Sequence, residues 1–151
     1  MTAAAHGESA PAPHPIFLYD GVCGLCNRGV QFILRRDPGA VFRFASLQSA
    51  FARRVLGRHG YRADDLDTVY VVIDHDLPGE MLLSRSDAVI FVLKKLPGAV
   101  VALWRGILQV LPKALRDWGY RVVARNRYCI FGRYETCPMP TPETRSRFLD
   151  Q

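Results

Sequence analysis

Cys23 and Cys26, separated by Gly24 and Leu25, are the residues of this 151-residue chain best equipped for chemistry. Two thiols three positions apart on a helical turn bring their Cα atoms within the ~4.4–6.8 Å that a disulfide needs. The stretch before them supplies the context. Ile16-Phe17-Leu18-Tyr19 is an apolar run suited to a buried strand, Asp20-Gly21 ends it, and a helical pattern starts near Cys23. A helix start presents unpaired N–H groups and the positive end of the helix dipole. A thiol placed there can fall in pKa from about 8.5 to between about 3.5 and 7.5. Cys23 is therefore expected to be exposed and reactive. Cys26 opens an apolar stripe with Val30 and Ile33 and is expected to be the less accessible sulfur. In that arrangement Cys23 attacks a substrate disulfide and Cys26 resolves the mixed disulfide. Asp20, three residues before Cys23, either relays the proton of Cys26 or caps the turn through backbone amides.

The elements that must position this pair follow from the pattern of apolar residues. A first helix from Cys23 stops at Asp37-Pro38-Gly39. Residues 41–45 read as a second strand with Phe42 and Phe44 on one face, and Ser46 as the cap of a second helix through Leu47, Ala50, Phe51 and Val55. Residues 68–73 are a β-branched third strand, and residues 81–83 pair back as a short fourth. Ser84 or Ser86 caps a third helix over 87–96. The order β-α-β-α-β-β-α, with a parallel first pair and an antiparallel last pair, is an α/β, thioredoxin-like fold with helices on both faces of a mixed sheet. Two more helical patterns occupy 99–127, with Pro112 at the start of the second. The expected organisation is a flexible leader over 1–15, a core over 16–98, and a helical extension with an irregular tail over 99–151 packed on that core. Trp104, Ile107, Leu108 and Leu111 form an apolar face expected to pack on the sheet.

Composition bounds the function. Apolar types make up 49% of the chain and charged types 23%, enough to bury a full core and close to the ~25% charge of soluble proteins. The leader has neither the basic start nor the apolar stretch of a secretory signal. The longest apolar run, 99–111, is interrupted by Arg105 and is shorter than the ~20 residues of a membrane span. A cytoplasmic location without membrane insertion is expected. Reducing conditions there make catalytic or metal-binding use of the four cysteines a better reading than a structural disulfide framework. The net charge of +6 is concentrated in the C-terminal third and reads as a solvated helical surface or as a site for an anionic partner. No helix-turn-helix or aromatic–basic RNA-binding motif accompanies it, so no nucleic acid is expected. Zinc would need Cys129 and Cys137 beside Cys23 and Cys26, with loose spacing. Cys129 and Cys137 otherwise form a second redox relay or, for a cysteine beside Ile130 and Phe131, a small core residue. The histidines at 6, 14, 59 and 75 are scattered, with none spaced to ligate a metal.

Tyr19-Asp20-Gly21-Val22-Cys23-Gly24-Leu25-Cys26-Asn27 resembles the signature of the DCC family of thioredoxin-like proteins, named for Asp-x-x-Cys-x-x-Cys. Phe42-Arg43-Phe44-Ala45-Ser46-Leu47-Gln48-Ser49 resembles that family's second strand and following helix start. Arg85-Ser86-Asp87-Ala88 is similar to its Ser-Asp-Ala element, and Ala124-Arg125-Asn126-Arg127-Tyr128 with Phe131-Gly132 and Cys137-Pro138 to its C-terminal segment. The resemblance spans about residues 16–149. It implies a thioredoxin fold and a thiol–disulfide oxidoreductase of protein-disulfide reductase type, with Cys23, Cys26 and Asp20 as its site and no cofactor. The partners it implies are protein or small-molecule disulfides and thiols. In glutaredoxins and glutathione transferases a similar Ser/Asp helix start holds glutathione, so Ser86 and Asp87 either bind the γ-glutamyl end of glutathione or cap a helix. The chain departs from thioredoxins at Val22 and Leu25, and in having no proline across Leu66-Asp67-Thr68-Val69. The rival reading is a non-catalytic basic binding module with structural or zinc-binding cysteines.

Overall fold

Alternation along strands of four residues decides how the layers are built. The computed structural model describes residues 14–62, 68–133 and 141–149. Strand β1 (Ile16–Tyr19) leads into helix α1 (Gly24–Arg36), strand β2 (Arg43–Ser46), helix α2 (Ala50–Arg58), strand β3 (Tyr70–Ile73), strand β4 (Met81–Ser84) and helix α3 (Arg85–Lys95). The sheet order is β2-β1-β3-β4. β1 runs parallel to β2 and antiparallel to β3, and β4 returns antiparallel to β3. Phe17, Tyr19, Phe44 and Val71 face one side, against Val30 and Ile33 of α1 and Ala88, Val92 and Leu93 of α3. Ile16, Leu18, Ala45, Tyr70 and Val72 face the other, against Ala52, Val55 and Leu56 of α2. β1 is buried along its whole length because side chains of either parity meet a helical layer. This is the expected thioredoxin-like α/β arrangement.

Several boundaries differ from the sequence reading, each for a local reason. Ser46 does not cap α2. It stays in β2 and donates to Gln48 Oε1 at 2.5 Å, while Ser49 caps α2 by accepting from the Ala52 amide at 3.1 Å. β2 begins two residues later than expected because the Asp37 carboxylate takes the Val41 and Phe42 amides, both at 3.0 Å. Strand pairing of β3 starts at Tyr70. The Val69 amide donates to the Tyr120 hydroxyl at 2.8 Å, and its carbonyl accepts from Arg85 N at 3.2 Å. α3 begins at Arg85, directly after β4, with φ 52° at Arg85 and no side-chain cap from Ser84.

The chain continues into helix α4 (Ala99–Val110) and helix α5 (Lys113–Phe131), with Pro112 preceding the first turn of α5 as expected. α4 buries only Val101, against the α1/α3 layer. The apolar face expected on the sheet is largely outside it: Trp104 is 56% and Ile107 43% exposed, whereas Leu108 and Leu111 are half-buried. Here α3 already occupies the sheet, and α4 packs on α3 instead. Among the described residues no helix is long and apolar enough to cross a membrane. Both ends of the described chain return to the edge strand β2. Pro15 and Val41 carbonyls bond Arg43 N and His14 Nδ1, Leu149 N bonds Phe44 O at 2.9 Å, and the Phe44 and Phe148 rings lie 5.2 Å apart. Arg147 pairs with the buried Asp37. An edge covered in this way offers few free amides to another strand. Residues 1–13 of the expected leader lie outside the described residues.

Leu18 is fully buried on the α2 side of the central strand. Leu18→Ala is expected to cost about 2–5 kcal/mol in urea unfolding, and Met81→Ala, at an exposed edge position, less than about 0.5 kcal/mol.

Candidate active site

The turn that follows β1 is held from within and from β2. Asp20 is fully buried, and its Oδ1 accepts from Val22 N at 3.2 Å and from Gln48 Nε2 at 2.7 Å. Gln48 Oε1 in turn accepts from Gly21 N at 3.0 Å. Asn27, one turn into α1, donates its side-chain amide to the Gly21 and Cys23 carbonyls at 2.8 and 2.9 Å. These bonds leave Cys23 as the N-cap residue of α1, its sulfur accepting from the Cys26 amide at 3.3 Å. The helix start thus uses a sulfur where Ser, Thr, Asp or Asn more commonly sits.

The two sulfurs are driven apart electrostatically. The Cys23 thiol is lowered from 9.0 to about 6, first by hydrogen bonding from the Cys26 thiol, then by the Cys26 amide and the Arg127 charge; burial and the Asp20 charge oppose this. The Cys26 thiol is pushed up because it donates to Cys23, is buried, and faces the Cys23 and Asp20 charges. At neutral pH the stable arrangement is a Cys23 thiolate bonded by a Cys26 thiol.

α5 closes the site from a hundred residues away. Arg127 is 3% exposed; its guanidinium lies 3.4 Å from Asp20 Oδ2, which also accepts from the Tyr128 hydroxyl. Burial and the bond to Asp20 push the Tyr128 phenol up. Beyond the helix end, Gly24 N donates to Gly132 O at 3.1 Å and Cys23 forms a bridge with Arg133. The approach is so close that a Cβ at Gly24 would lie 2.1 Å from the Phe131 carbonyl oxygen. Accessibility is therefore the reverse of the sequence expectation. Cys23 is fully buried beneath residues 131–133, and Cys26 is half-buried and open on its other side. It lines a cavity of about 510 Å³ between α1, α3, α4 and α5, with Phe17, Val89, Leu108, Leu115 and Arg116 among its walls.

The remaining candidates are placed as follows. Ser86 lines the same cavity, but its hydroxyl donates to Asp117 Oδ1 at 2.5 Å. Asp87 pairs with Lys113 at 2.8 Å and lies 3.9 Å from Arg116. Cys129 is exposed and so is not the small core residue expected; Cys137 lies outside the described residues. Cys23, Cys26 and Cys129 are free thiols. The histidines are less scattered than the sequence suggests. His75, Asp76 and Glu80 bring ligand-type atoms within 4.8 Å of one another, and His59 bonds Glu80 at 2.7 Å. Arg58 already neutralises this cluster, 2.9 Å from both Asp76 and Glu80. Burial of Glu80 is outweighed by donors from Asp76 N, His59, His75 and Arg58, which hold its carboxyl down at about 2. Gln48, Arg127 and Tyr128 are the site residues sequence reasoning missed. All three lie in segments that resembled the DCC family, but nothing in their spacing points to Asp20.

A model of the DCC1-like thiol–disulfide oxidoreductase family matches residues 17–133. The chain is 36% identical over 143 residues to the protein YuxK of Bacillus subtilis (strain 168), covering 93% of this chain and 98% of that protein. It is 39% identical over 127 residues to a chloroplastic DCC family protein of Arabidopsis thaliana, covering 83% and 69%. No solved structure matches it.

Gly24→Ala is expected to push residues 131–133 off the cysteine turn, destabilising the protein by about 1–3 kcal/mol while raising the rate at which iodoacetamide reaches Cys23. Thiolate absorbance near 240 nm should rise through a midpoint near pH 6 in the reduced protein and lose that step in Cys23→Ser. In Cys26→Ala the midpoint should move up toward 9.0, because the foremost donor to the thiolate is gone.

Proposed function

The chain belongs to the DCC1-like thiol–disulfide oxidoreductase family, and we propose that it reduces disulfides by cycling Cys23 and Cys26 between dithiol and disulfide. The observation that carries the reading is the Cys26 amide donating to the Cys23 sulfur in the first turn of α1, with Cys23 the more acidic thiol of the pair. Cys23, the anion at neutral pH, attacks one sulfur of a substrate disulfide and expels the other as a thiol. Cys26 then loses its proton and attacks Cys23, releasing the second substrate thiol and leaving the Cys23–Cys26 disulfide. Once Cys23 is no longer an anion, one of the causes holding the Cys26 thiol up is removed, which favours the second step.

Asp20 acts in this scheme as a positioning residue. Its carboxylate faces Val22, Gln48, Tyr128 and Arg127, and it sets the turn and places the Arg127 charge near the sulfurs. Because residues 131–133 lie over Cys23, a protein substrate would need that segment to shift before attack. A reducing compartment such as the cytoplasm would return the pair to the dithiol. Glutathione is one candidate donor; Ser86 and Asp87 would reach its γ-glutamyl end only by giving up Asp117 and Lys113.

Cys23→Ser is expected to abolish reduction of insulin or a fluorescent peptide disulfide. Cys26→Ser should accumulate a mixed disulfide with substrate, visible by mass spectrometry as an adduct released by dithiothreitol. Turnover by Cys23→Ser at the wild-type rate would overturn the proposal.

A further inference from the structure

We propose that the cavity beside Cys26 is the docking site of the thiol that re-reduces the Cys23–Cys26 disulfide, and that this donor is a small, largely apolar thiol carrying one anionic head group. The inference rests on the thiol–disulfide reading above and names the donor class for that same pair. Access is the first argument. Cys23 is fully covered, whereas Cys26 is half-buried and forms part of the cavity wall, so a molecule entering there comes up against Cys26 and not Cys23. A cavity of about 510 Å³ is the size of a small-molecule site.

The second argument is chemical. Phe17, Leu25, Val89, Leu108, Leu115 and Val123 make the wall apolar. Glutathione, with two carboxylates and an ammonium, would have to leave its charges unsolvated against them. An alkyl thiol loses no such hydration and gains burial. Two cations stand in the wall, and Arg127 is held by Asp20. Arg116 keeps spare capacity: among the described residues its buried Nε has no hydrogen-bond partner, its guanidinium lies 3.9 Å from Asp87, and its side chain is 14% exposed. A carboxylate there would form a charge-assisted bond. Gly29 of α1 and Gly119 of α5 also line the cavity, and an added Cβ at either meets no atom within 4 Å. Both are unfavourable residues in a helix interior, and both keep the space wide.

The step balances as follows. A donor thiolate attacks the Cys26 sulfur, the Cys23–Cys26 bond breaks, and Cys23 leaves as the thiolate. The leaving thiolate is still stabilised by the Cys26 amide and by the Arg127 charge. A second donor thiolate attacks the donor sulfur of the mixed disulfide and expels Cys26, which takes up a proton. Two donor thiols lose two electrons and become a disulfide, the protein pair gains those electrons, and one proton remains in solution.

The test uses the full-length oxidised chain, reduced by 8-mercaptooctanoate or by glutathione at equal thiolate concentration, with maleimide quenching and mass readout. The expected result is saturable reduction by 8-mercaptooctanoate, about tenfold faster than by glutathione, since docking replaces random encounter. Gly119→Leu and, independently, Gly29→Leu fill the space and should abolish the saturation and the preference; Arg116→Met should raise the half-saturating concentration. Circular dichroism checks that each variant is folded. If both thiols reduce the wild-type pair without preference, or the filling variants slow both equally, the cavity assignment falls and the redox reading stands. If the pair forms no disulfide, or neither thiol reduces it, both fall.

Discussion

The buried carboxylate of Asp20 is the constraint on which the site depends. It sits at the end of the central strand, fully excluded from water, and an isolated charge there would be strongly unfavourable. Four donors offset that cost: the Val22 amide, the Gln48 side chain, the Tyr128 hydroxyl and the Arg127 guanidinium. Two come from the turn and β2 region, and two from the far end of α5. Removing one member of a buried ion pair leaves the other uncompensated, at a cost of about 3–5 kcal/mol. The arrangement therefore couples the cysteine turn to α5 more firmly than contact between apolar faces would.

That coupling explains both unusual features of the sulfurs. With Arg127 anchored on Asp20, the last turn of α5 reaches Gly24, and residues 131–133 cover Cys23. The same helix, running back toward Lys113, supplies one wall of the cavity on which Cys26 opens. One sulfur is thereby sealed and held as an anion, while its neighbour is partly open and held as a thiol. Gly24 has no positive φ; it is glycine because nothing larger fits under the Phe131 carbonyl. The Arg127 charge lowers the Cys23 thiol and the Asp20 charge raises it, so the two members of the ion pair oppose each other at the sulfur. The larger causes are local: the Cys26 thiol first, then burial of the sulfur against it, then the Cys26 amide.

Local pattern was enough to read most of the fold. Alternating burial, glycine and proline stops, and the strand-to-helix step at Cys23 identified the elements through α5 in their observed order. They did so because each depends on neighbours within a few residues. Where a local rule failed, the structure explains why. Ser46 reads as a cap by type, but the strand hydrogen bonds of β2 hold it, and Ser49 caps the helix instead. Trp104 and Ile107 look like a core face by period, but α3 already fills that side of the sheet.

What the sequence by itself determined was the pair Cys23 and Cys26, the helix start beneath it and the burial of the strand before it. These are effects of spacing and of amides within one turn. Which sulfur is covered, what neutralises Asp20 and where the cavity opens were decided only by tertiary structure. Each depends on α5 returning over a hundred residues to meet the turn. The types of Arg127 and Tyr128 say that they can bond a carboxylate, but a charge or hydroxyl in a helix has no period that names its partner.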